Sequence, residues 1–345
     1  MSMVKPAHGD VIAQETINGT MHLLRILEKA LFYGRSDLSP LQFDGFEKML
    51  LDSAPSQNII DLRGKPLSED VLQDGALTVQ DAPNFGTPTH LYTSPKVKAD
   101  LVKQFFPKER YDLFQKTSNG MIGLDIKGFT SAAGDVAFEP DVFITDGGAP
   151  TPAVGDISKR PGLPTVSTAP VPAASGSSMF EVDDAGDYFY KIQAVNRYGR
   201  SGPVDLVTGP VAAVTVDAGE KVPFGMTPGV GGDVDYYEIY RTKKDGAVGT
   251  TRSILRIPNA AGAGEQLIED YNVELPGTTS AFLFQQNTES MSLKQLAPMI
   301  KIPLATIDAR IRWMQLLYCV PTLYTPGKNL LYKNVGRAAG FVGGA

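Results

Sequence analysis

The chain of 345 residues is 42% hydrophobic and 20% charged, a composition typical of a folded, soluble protein. At about 150 residues per domain, this length predicts two domains or slightly more. The 32 basic and 38 acidic residues leave a net charge of −6, which disfavours a surface that neutralises the phosphates of nucleic acid. A single cysteine, Cys319, excludes an intrachain disulfide framework and favours a cytosolic origin. We find no apolar run suited to a signal peptide or a membrane span.

The first predicted element is a long amphipathic helix over residues 10–33. Asp10 can act as its N-cap, and Gly34 follows its last turn. Its apolar positions recur every three or four residues, at Ile17, Met21, Leu24, Leu27 and Leu31. The residues that widen this stripe are Leu23, Ile26, Ala30 and Tyr33. We therefore expect a structural spine with packing partners on more than one side.

Three further helices are predicted near residues 44–52, 68–79 and 94–106. The last of them begins at Ser94-Pro95 and ends before Pro107. Strands are predicted at residues 89–93 and within 121–145, where Ile122, Leu124 and Ile126 alternate and Val142 and Ile144 follow. Helices and strands that interleave without a regular repeat are typical of an α+β domain.

The composition changes near residue 149. Six prolines stand among small residues between positions 148 and 178, which predicts an extended connector and a domain boundary. From about 179 to 285, short β-rich runs alternate with turn clusters and no helical period is found. The runs are 188–196, 211–216, 236–241, 253–257 and 266–270. Their spacing predicts an all-β sandwich.

After Phe284 the sequence predicts a short loop-helix segment near residues 290–300 and then a β-rich tail. A β-domain between two α+β pieces suggests an insertion, after which the chain returns to complete the first domain. We therefore predict three ranges. They are a core piece over residues 1–148, the connector with the inserted sandwich over 149–285, and a C-terminal return over 286–345.

Histidine and cysteine, the residues best suited to metal or nucleophilic chemistry, are scattered. His8, His22 and His90 lack a second His or Cys at metal-binding spacing. Cys319 stands among apolar residues without a basic neighbour, which favours a core thiol over a nucleophile.

Glycine-rich and acidic segments also lack a recognisable motif. Gly199–Pro203 departs from the G-x-S-x-G pattern and indicates a hairpin turn. Gly229–Gly232 leads into a strand without the Lys-Ser/Thr of a phosphate loop and is interpreted as flexible. The acidic positions Asp233, Asp235, Glu238 and Glu269-Asp270 do not follow a calcium-loop pattern and indicate solvated strand edges. We therefore predict no catalytic, cofactor-binding or metal-binding residue and no cofactor.

Three segments carry a recognisable combination. They are Leu27–Gly34 (LEKALFYG) with Leu41–Phe46 (LQFDGF), then His90–Leu101 (HLYTSPKVKADL), and the tail Gln295–Ala305 (QLAPMIKIPLA) with Trp313–Tyr324 and Tyr332–Gly336. Together they resemble the major capsid proteins of tailed bacteriophages, especially large contractile-tailed phages whose shell protein carries an inserted immunoglobulin-like domain. Within the predicted insert, Tyr188–Ser201 (YFYKIQAVNRYGRS) resembles the penultimate strand and loop of fibronectin type III and immunoglobulin-like modules. Tyr236–Arg241 resembles an earlier strand but follows it, so the strand order stays open.

The resemblance implies an α+β, HK97-like capsid fold with a long spine helix, interrupted by an inserted all-β immunoglobulin-like sandwich. It implies a non-enzymatic shell protein of the virion, assembled in the host cytoplasm as hexamers and pentamers of itself that enclose DNA without specific binding. Portal, scaffold or decoration proteins are the further partners it implies, with no membrane. The sandwich would project on its proline-rich stalk, and the loops near 107–120 and 285–303 would face the capsomer axis.

Two points qualify this expectation. Shell proteins of this group usually carry a long arm and a hairpin loop before the spine helix, whereas this sequence starts almost at that helix, so the clasp between subunits is not expected from it. The alternative function is a surface adhesin or tail-associated protein that binds through its β-sandwich.

Overall fold

The computed structural model describes residues 11–105, 126–207, 213–260, 262, 264–305 and 311–338. Within them the chain is a mixed α+β protein with few helices and many strands. The helices are α1 (Val11–Tyr33), α2 (Phe46–Ser53), α3 (Glu69–Gln80) and α4 (Pro95–Phe105). None of these helices is both long enough and apolar enough to cross a membrane.

The strands fall into three stretches of chain. The first stretch holds β1 (Ile59–Asp61), β2 (His90–Thr93), β3 (Gly128–Ser131) and β4 (Gly134–Pro140). The second holds β5 (Val154–Gly155), β6 (Thr165–Thr168), β7 (Ala173–Ala174), β8 (Gly186–Tyr188), β9 (Tyr190–Asn196), β10 (Gly199–Arg200), β11 (Val204–Asp205), β12 (Val214–Val216), β13 (Glu220–Thr227), β14 (Tyr236–Arg241), β15 (Arg252–Pro258) and β16 (Gln266–Asp270). The third holds β17 (Thr279–Phe284), β18 (Met291–Pro303), β19 (Trp313–Leu323) and β20 (Leu330–Val335).

The four predicted helices are confirmed to within two residues at each described end, and local caps explain two of their starts. Ser68 Oγ accepts a hydrogen bond from the backbone N–H of Val71 (3.4 Å), and Ser94 Oγ accepts one from Val97 (3.3 Å). The expected burial of α1 is wrong for the single chain, because Phe32 is its one buried residue.

The core sheet contains strands from both the N-terminal and the C-terminal parts of the chain. Its strand order is β1-β20-β17-β2-β4-β3, with β1 parallel to β20, β2 parallel to β4 and the other pairs antiparallel. The C-terminal strands β17 and β20 therefore lie inside a sheet that the N-terminal strands begin. The predicted insertion over residues 149–285 includes β17, but β17 pairs with β2 and β20 of the core sheet. Of the strand region predicted over 121–145, residues 121–125 lie outside the described residues, and Val142 and Ile144 follow β4 without forming a strand.

Alternation along β17 and β20 buries both faces of the core sheet. Phe282, Phe284 and Leu331 share an apolar cluster with Phe32 of α1 and Leu50 of α2. The intervening side chains share a second cluster with α3 and α4, whose members include Leu283, Leu330, Tyr332, Leu72, Val79, Val97 and Leu101. Because successive side chains of a strand point to opposite faces, helices cover the sheet on both sides.

Strands β5 to β16 form a separate β-region, which we call the β-module (residues 154–270). One sheet has the order β15-β14-β9-β10-β5 with β11 also on β9, and another has β16-β13-β6 with β7 also on β13. Ile192 and Ile239 of the first sheet share an apolar core with Phe224 and Ile268 of the second. Two sheets packed over one core have the layering of a β-sandwich.

The proline-rich segment is not only the extended connector that its composition predicted. β5 pairs with β10, and β6 and β7 both pair with β13, so residues 154–174 supply strands to the module. The predicted hairpin at Gly199 is confirmed, since β9 and β10 pair across a tight turn. The Gly229–Gly232 loop is not free: Gly232 N–H donates to Arg160 O (2.9 Å), and a Cβ on Gly229 would lie 1.9 Å from Leu163 O.

Side chains fix the β-module to the core. Arg63 follows β1 and donates from Nη1 to Asn272 O (2.8 Å) and from Nη2 to Met179 O (2.6 Å) and Asp184 Oδ2 (2.7 Å). On the return path, Asn334 Nδ2 donates to Val273 O (2.8 Å). Arg63 therefore holds the module itself at Met179 and Asp184, and Arg35 Nη1 adds a hydrogen bond to Arg256 O (3.2 Å), while Asn272 and Val273 fix the connection back to the core.

Candidate assembly surface

A long two-stranded ribbon replaces the loop-helix segment that was predicted near residues 290–300. β18 has 13 residues and β19 has 11, and they pair antiparallel from Met291 opposite Leu323 to Pro303 opposite Trp313. At about 3.3 Å per residue, β18 is roughly 40 Å long. A two-stranded ribbon is marginally stable in water by itself, so this one requires further contacts.

Large apolar side chains are exposed along the ribbon. They include Leu293, Leu296, Met299, Ile300, Ile302, Met314, Tyr318 and Val320. Leu296 is 84% exposed. Scattered single apolar residues are normal on a protein surface, but a run of this length on one element marks an interaction surface.

Helix α1 has the same character. The exposed apolar residues on it are Val11, Ile12, Ile17, Met21, Leu24 and Ile26. These positions belong largely to the stripe that predicted a buried spine. The apolar stripe is present, but in the single chain its members are exposed or half-buried, and the buried residue of α1 is Phe32, near the C-terminal end of the helix.

Polar contacts hold the N-terminal half of α1 against the ribbon. Lys301 Nζ donates to Thr16 Oγ1 (2.7 Å), and Gln315 Nε2 donates to Thr16 O (3.1 Å) and Thr20 Oγ1 (3.3 Å). Gly19 makes this approach possible, because a Cβ there would lie 2.5 Å from Gln315 Oε1. We call α1 and the two ribbon strands together the helix-ribbon surface.

Buried amides anchor the base of the ribbon. Asn329 is fully buried, donates to Thr325 O (2.9 Å) and Ser290 Oγ (3.3 Å), and accepts from Gln285 N–H (3.0 Å). Asn58 reaches the same turn from the other end of the chain, donating to the carbonyl oxygen of Asn329 (2.8 Å). Such a satisfied buried network sets where the ribbon leaves the core.

The described residues of the ribbon and its flanks carry positive charge. Within residues 291–305 and 311–324, every Lys, Arg, Asp or Glu residue is a cation: they are Lys294, Lys301 and Arg312. The whole chain, by contrast, has a net charge of −6. Lys294 lies over the Tyr324 ring (5.3 Å to the centroid), and Lys301 lies over Trp313 (4.9 Å). Hydrogen bonding from Ser292, assisted by Lys294, lowers the pKa of Tyr324 to about 8. A cationic, apolar surface suits a partner that presents both apolar and acidic groups.

The residues that could have carried catalysis are not gathered into a centre. His22 lies exposed on α1 and His90 stacks on Tyr92 in β2 (6.3 Å between centroids), while His8 lies outside the described residues. Over the described part of the chain, no three side chains of His, Cys, Asp or Glu are grouped to hold a metal ion. Cys319 is a half-buried thiol of β19 and not a core residue, and burial raises its pKa away from the thiolate form.

Of the neighbouring acidic positions Glu269 and Asp270, Glu269 is exposed on a strand edge as expected, whereas Asp270 departs from the expectation. Asp270 is buried and forms an ion pair with the buried Arg241 (2.5 Å). Its neighbour Glu269 pairs with Lys221 at the surface (2.6 Å). No local sequence pattern indicates the ion pair of Arg241 and Asp270, because the two residues stand 29 positions apart.

The known proteins that are similar in sequence to this chain share one kind of name. No protein-family model matches the chain. The curated proteins that it resembles are named major capsid proteins of phages, which are structural shell proteins.

A putative major capsid protein of Enterococcus phage phiEF24C is 29% identical over 330 residues, and the major capsid protein of Staphylococcus phage K is 27% identical over 325 residues. Each alignment covers 90% of this chain and 66% of the relative, so the chain spans just under two thirds of the length of these proteins. Among solved structures, the holo-SrpI encapsulin complex from Synechococcus elongatus PCC 7942 aligns with a TM-score of 0.35 and 10% identity, over 97% of this chain and 69% of that one.

Proposed function

We propose that this protein is a structural shell subunit of a phage capsid and that it associates with copies of itself through the helix-ribbon surface. The observation that carries the proposal is the apolar exposure of α1 and the ribbon, on elements that a single chain leaves uncovered. The similarity to phage major capsid proteins over 90% of the chain supports it. A closed shell buries the same patch on every subunit, which explains why so much apolar surface is tolerated.

The finer assignments belong to the same proposal. The subunit would form hexamers and pentamers in the HK97-like manner, within the virion and after assembly in the host cytoplasm. The β-module would be an immunoglobulin-like domain on the outside of the particle, an assignment supported by its two sheets over one core. Portal, scaffold and decoration proteins would be the other partners. A net charge of −6 suits a wall that encloses DNA without retaining it by phosphate contacts.

A substitution on the ribbon tests the role of the surface. Leu296→Glu places a charge at a position that is 84% exposed, so the subunit keeps its fold but an apolar contact between subunits is lost. Val230→Glu is the matched control, because Val230 is fully exposed on the β-module, away from the ribbon. We expect negative-stain electron microscopy and mass photometry to detect rings, tubes or shells for the wild type and for Val230→Glu, and subunits for Leu296→Glu.

The adhesin alternative predicts a different result. An adhesin would be a monomer, trimer or fibre whose oligomeric state is the same for the wild type, Leu296→Glu and Val230→Glu. That pattern would overturn the shell proposal.

A further inference from the structure

A cavity of about 530 Å³ lies where the β-module meets the core. The module contributes Arg241, Lys243 and Lys244, the core contributes Lys96 and Arg337, and the turn between β16 and β17 closes one side at Gly277. We call it the junction cavity. Its volume is sufficient for a small molecule.

Cationic side chains dominate the wall of the junction cavity. Five of the lining residues are Lys or Arg, whereas Asp146 and Asp184 are the carboxylates among them. Each of these two carboxylates already has a cationic partner: Asp146 pairs with Lys96 (2.9 Å), and Asp184 pairs with Arg63 (2.7 Å) from outside the lining. Two of the lining cations are paired as well, Arg241 with Asp270 (2.5 Å) and Arg337 with Asp100 (2.7 Å), both from outside the lining. The excess positive charge of the wall therefore comes from Lys243 and Lys244, although the whole chain is acidic.

The excess charge is centred on two neighbouring lysines. Lys244 Nζ donates to the backbone carbonyl of Asp183 (2.9 Å), which leaves its charge without a carboxylate within ion-pair distance in the described residues. Over the same residues the side-chain amine of Lys243 has neither a hydrogen bond nor an ion pair, whereas its backbone carbonyl accepts from Gly246 N–H (3.0 Å). Its side chain lies along the turn, because a Cβ on Gly277 would lie 3.4 Å from Lys243 Cε and 3.9 Å from Nζ. The positive φ of Gly277 (74°) allows the backbone to make that turn without a side chain.

A buried donor in the wall also lacks an acceptor. Arg241 is fully buried and uses both Nη atoms, on Asp270 Oδ2 and on Asn272 Oδ1, but its Nε–H has no acceptor in the described part of the chain. Buried donors are rarely left unpaired, so an unpaired one beside a cavity is a reason to look for a ligand with acceptor atoms.

We propose that the junction cavity binds a small free oxyanion, with Lys243 and Lys244 as its principal cationic contacts. The bound anion would be held between the β-module and the core, since Lys96 and Arg337 line the cavity from the core side. Occupancy would then strengthen the attachment of the module. This site is independent of the shell function, because none of its lining residues belongs to the helix-ribbon surface.

Inorganic phosphate is the probe for a direct test on the full chain. Isothermal titration and thermal unfolding at pH 7 are measured in phosphate, in sulfate and in chloride of equal ionic strength. We expect saturable binding of phosphate and sulfate and a higher unfolding midpoint in both. Lys243→Gln removes the charge and is expected to weaken phosphate binding about tenfold or more, because charge-assisted hydrogen bonds are among the strongest that a site offers.

The matched control is Lys159→Gln, an exposed lysine at the far end of the module whose nearest carboxylate is Asp156 (3.9 Å). It should bind phosphate as the wild type does. Lys244→Gln gives a second, independent reduction in affinity. Equal effects of phosphate and chloride at matched ionic strength would overturn the proposal, and so would identical phosphate affinities of wild type, Lys243→Gln and Lys244→Gln.

Discussion

Nη1 of Arg241 lies 2.5 Å from Oδ2 of Asp270, and the two side chains are only 1% and 2% exposed. Tyr190 donates a hydrogen bond to the same carboxylate oxygen (2.9 Å), and the guanidinium lies over the ring of Phe180 (5.1 Å to the centroid). The pair joins β14 to β16, which belong to different sheets of the β-module. It therefore ties the two layers together at the end nearest the core.

Breaking this pair should destabilise the module strongly. Arg241→Met leaves the Asp270 carboxylate buried without a counter-charge, and we expect a loss of about 3–5 kcal/mol in the free energy of unfolding. Urea unfolding followed by circular dichroism measures it. The double variant Arg241→Met/Asp270→Leu should recover much of the loss, because two apolar residues need no counter-charge.

The control for this prediction is an exposed ion pair of the same module. Lys191→Met removes the partner of Asp205, whose side chain is 60% exposed, and should cost about 1 kcal/mol or less. A loss for Arg241→Met no larger than that of Lys191→Met would contradict the structural role given to the buried pair.

Local signals explain which parts of this fold the sequence predicts. Helices α3 and α4 begin at Ser68 and Ser94, whose caps depend only on residues three positions away. β20 is similarly visible as an apolar run in the predicted β-rich tail, although the identity of its partners is not, and β17 is not among the predicted runs. The stripe on α1 is visible too, but the sequence cannot distinguish a stripe buried in one chain from a stripe left for a partner.

The β-rich tail is confirmed in β19, but the sequence predicts the other ribbon strand, β18, as a loop-helix segment for a physical reason. Leu293, Leu296 and Ile300 are spaced by three and four residues, which imitates a helical face, and a strand exposed on both sides has no alternation to correct that interpretation. Its pairing with β19 also depends on residues further along the chain. Non-local pairing also explains the proline-rich segment. Its composition predicts a connector, but its strands β6 and β7 pair with β13, which lies further along the chain.

A glycine in α1 allows a second prediction. Ala at position 19 would gain about 1 kcal/mol of helix propensity, but its Cβ would displace Gln315, whose Oε1 would otherwise lie 2.5 Å away. Losing the hydrogen bonds of Gln315 to Thr16 and Thr20 costs a comparable amount, so Gly19→Ala should be nearly neutral.

A double-mutant cycle separates these two effects. In a Gln315→Ala background the obstacle is absent, and Gly19→Ala should then stabilise the chain by about 1 kcal/mol. Unfolding free energies of the four proteins, measured at a concentration where each is dispersed as subunits, give the coupling energy. Zero coupling would mean that α1 does not rest on the ribbon in solution.

Tyr324 provides a test of the ribbon by pH. Ser292 Oγ lies 3.0 Å from its phenolic oxygen and Lys294 lies over its ring, and together they lower the pKa of Tyr324 from 10.0 to about 8. Between about pH 8 and pH 10 the folded ribbon releases this proton while the unfolded chain retains it. The interaction therefore adds stability that is fully present above the unfolded pKa and is lost as pH falls through about 8.

Near-ultraviolet absorbance measures the phenolate directly. We expect the wild type to show an ionisation step near pH 8 that Tyr324→Phe removes and that Lys294→Gln moves to higher pH. Tyr92→Phe is the control, because burial raises the pKa of Tyr92 and its removal should leave the step unchanged. If Tyr324→Phe retains the step, the ribbon does not hold Ser292, Lys294 and Tyr324 together as the structure has them, and the register of β18 on β19 would have to be revised.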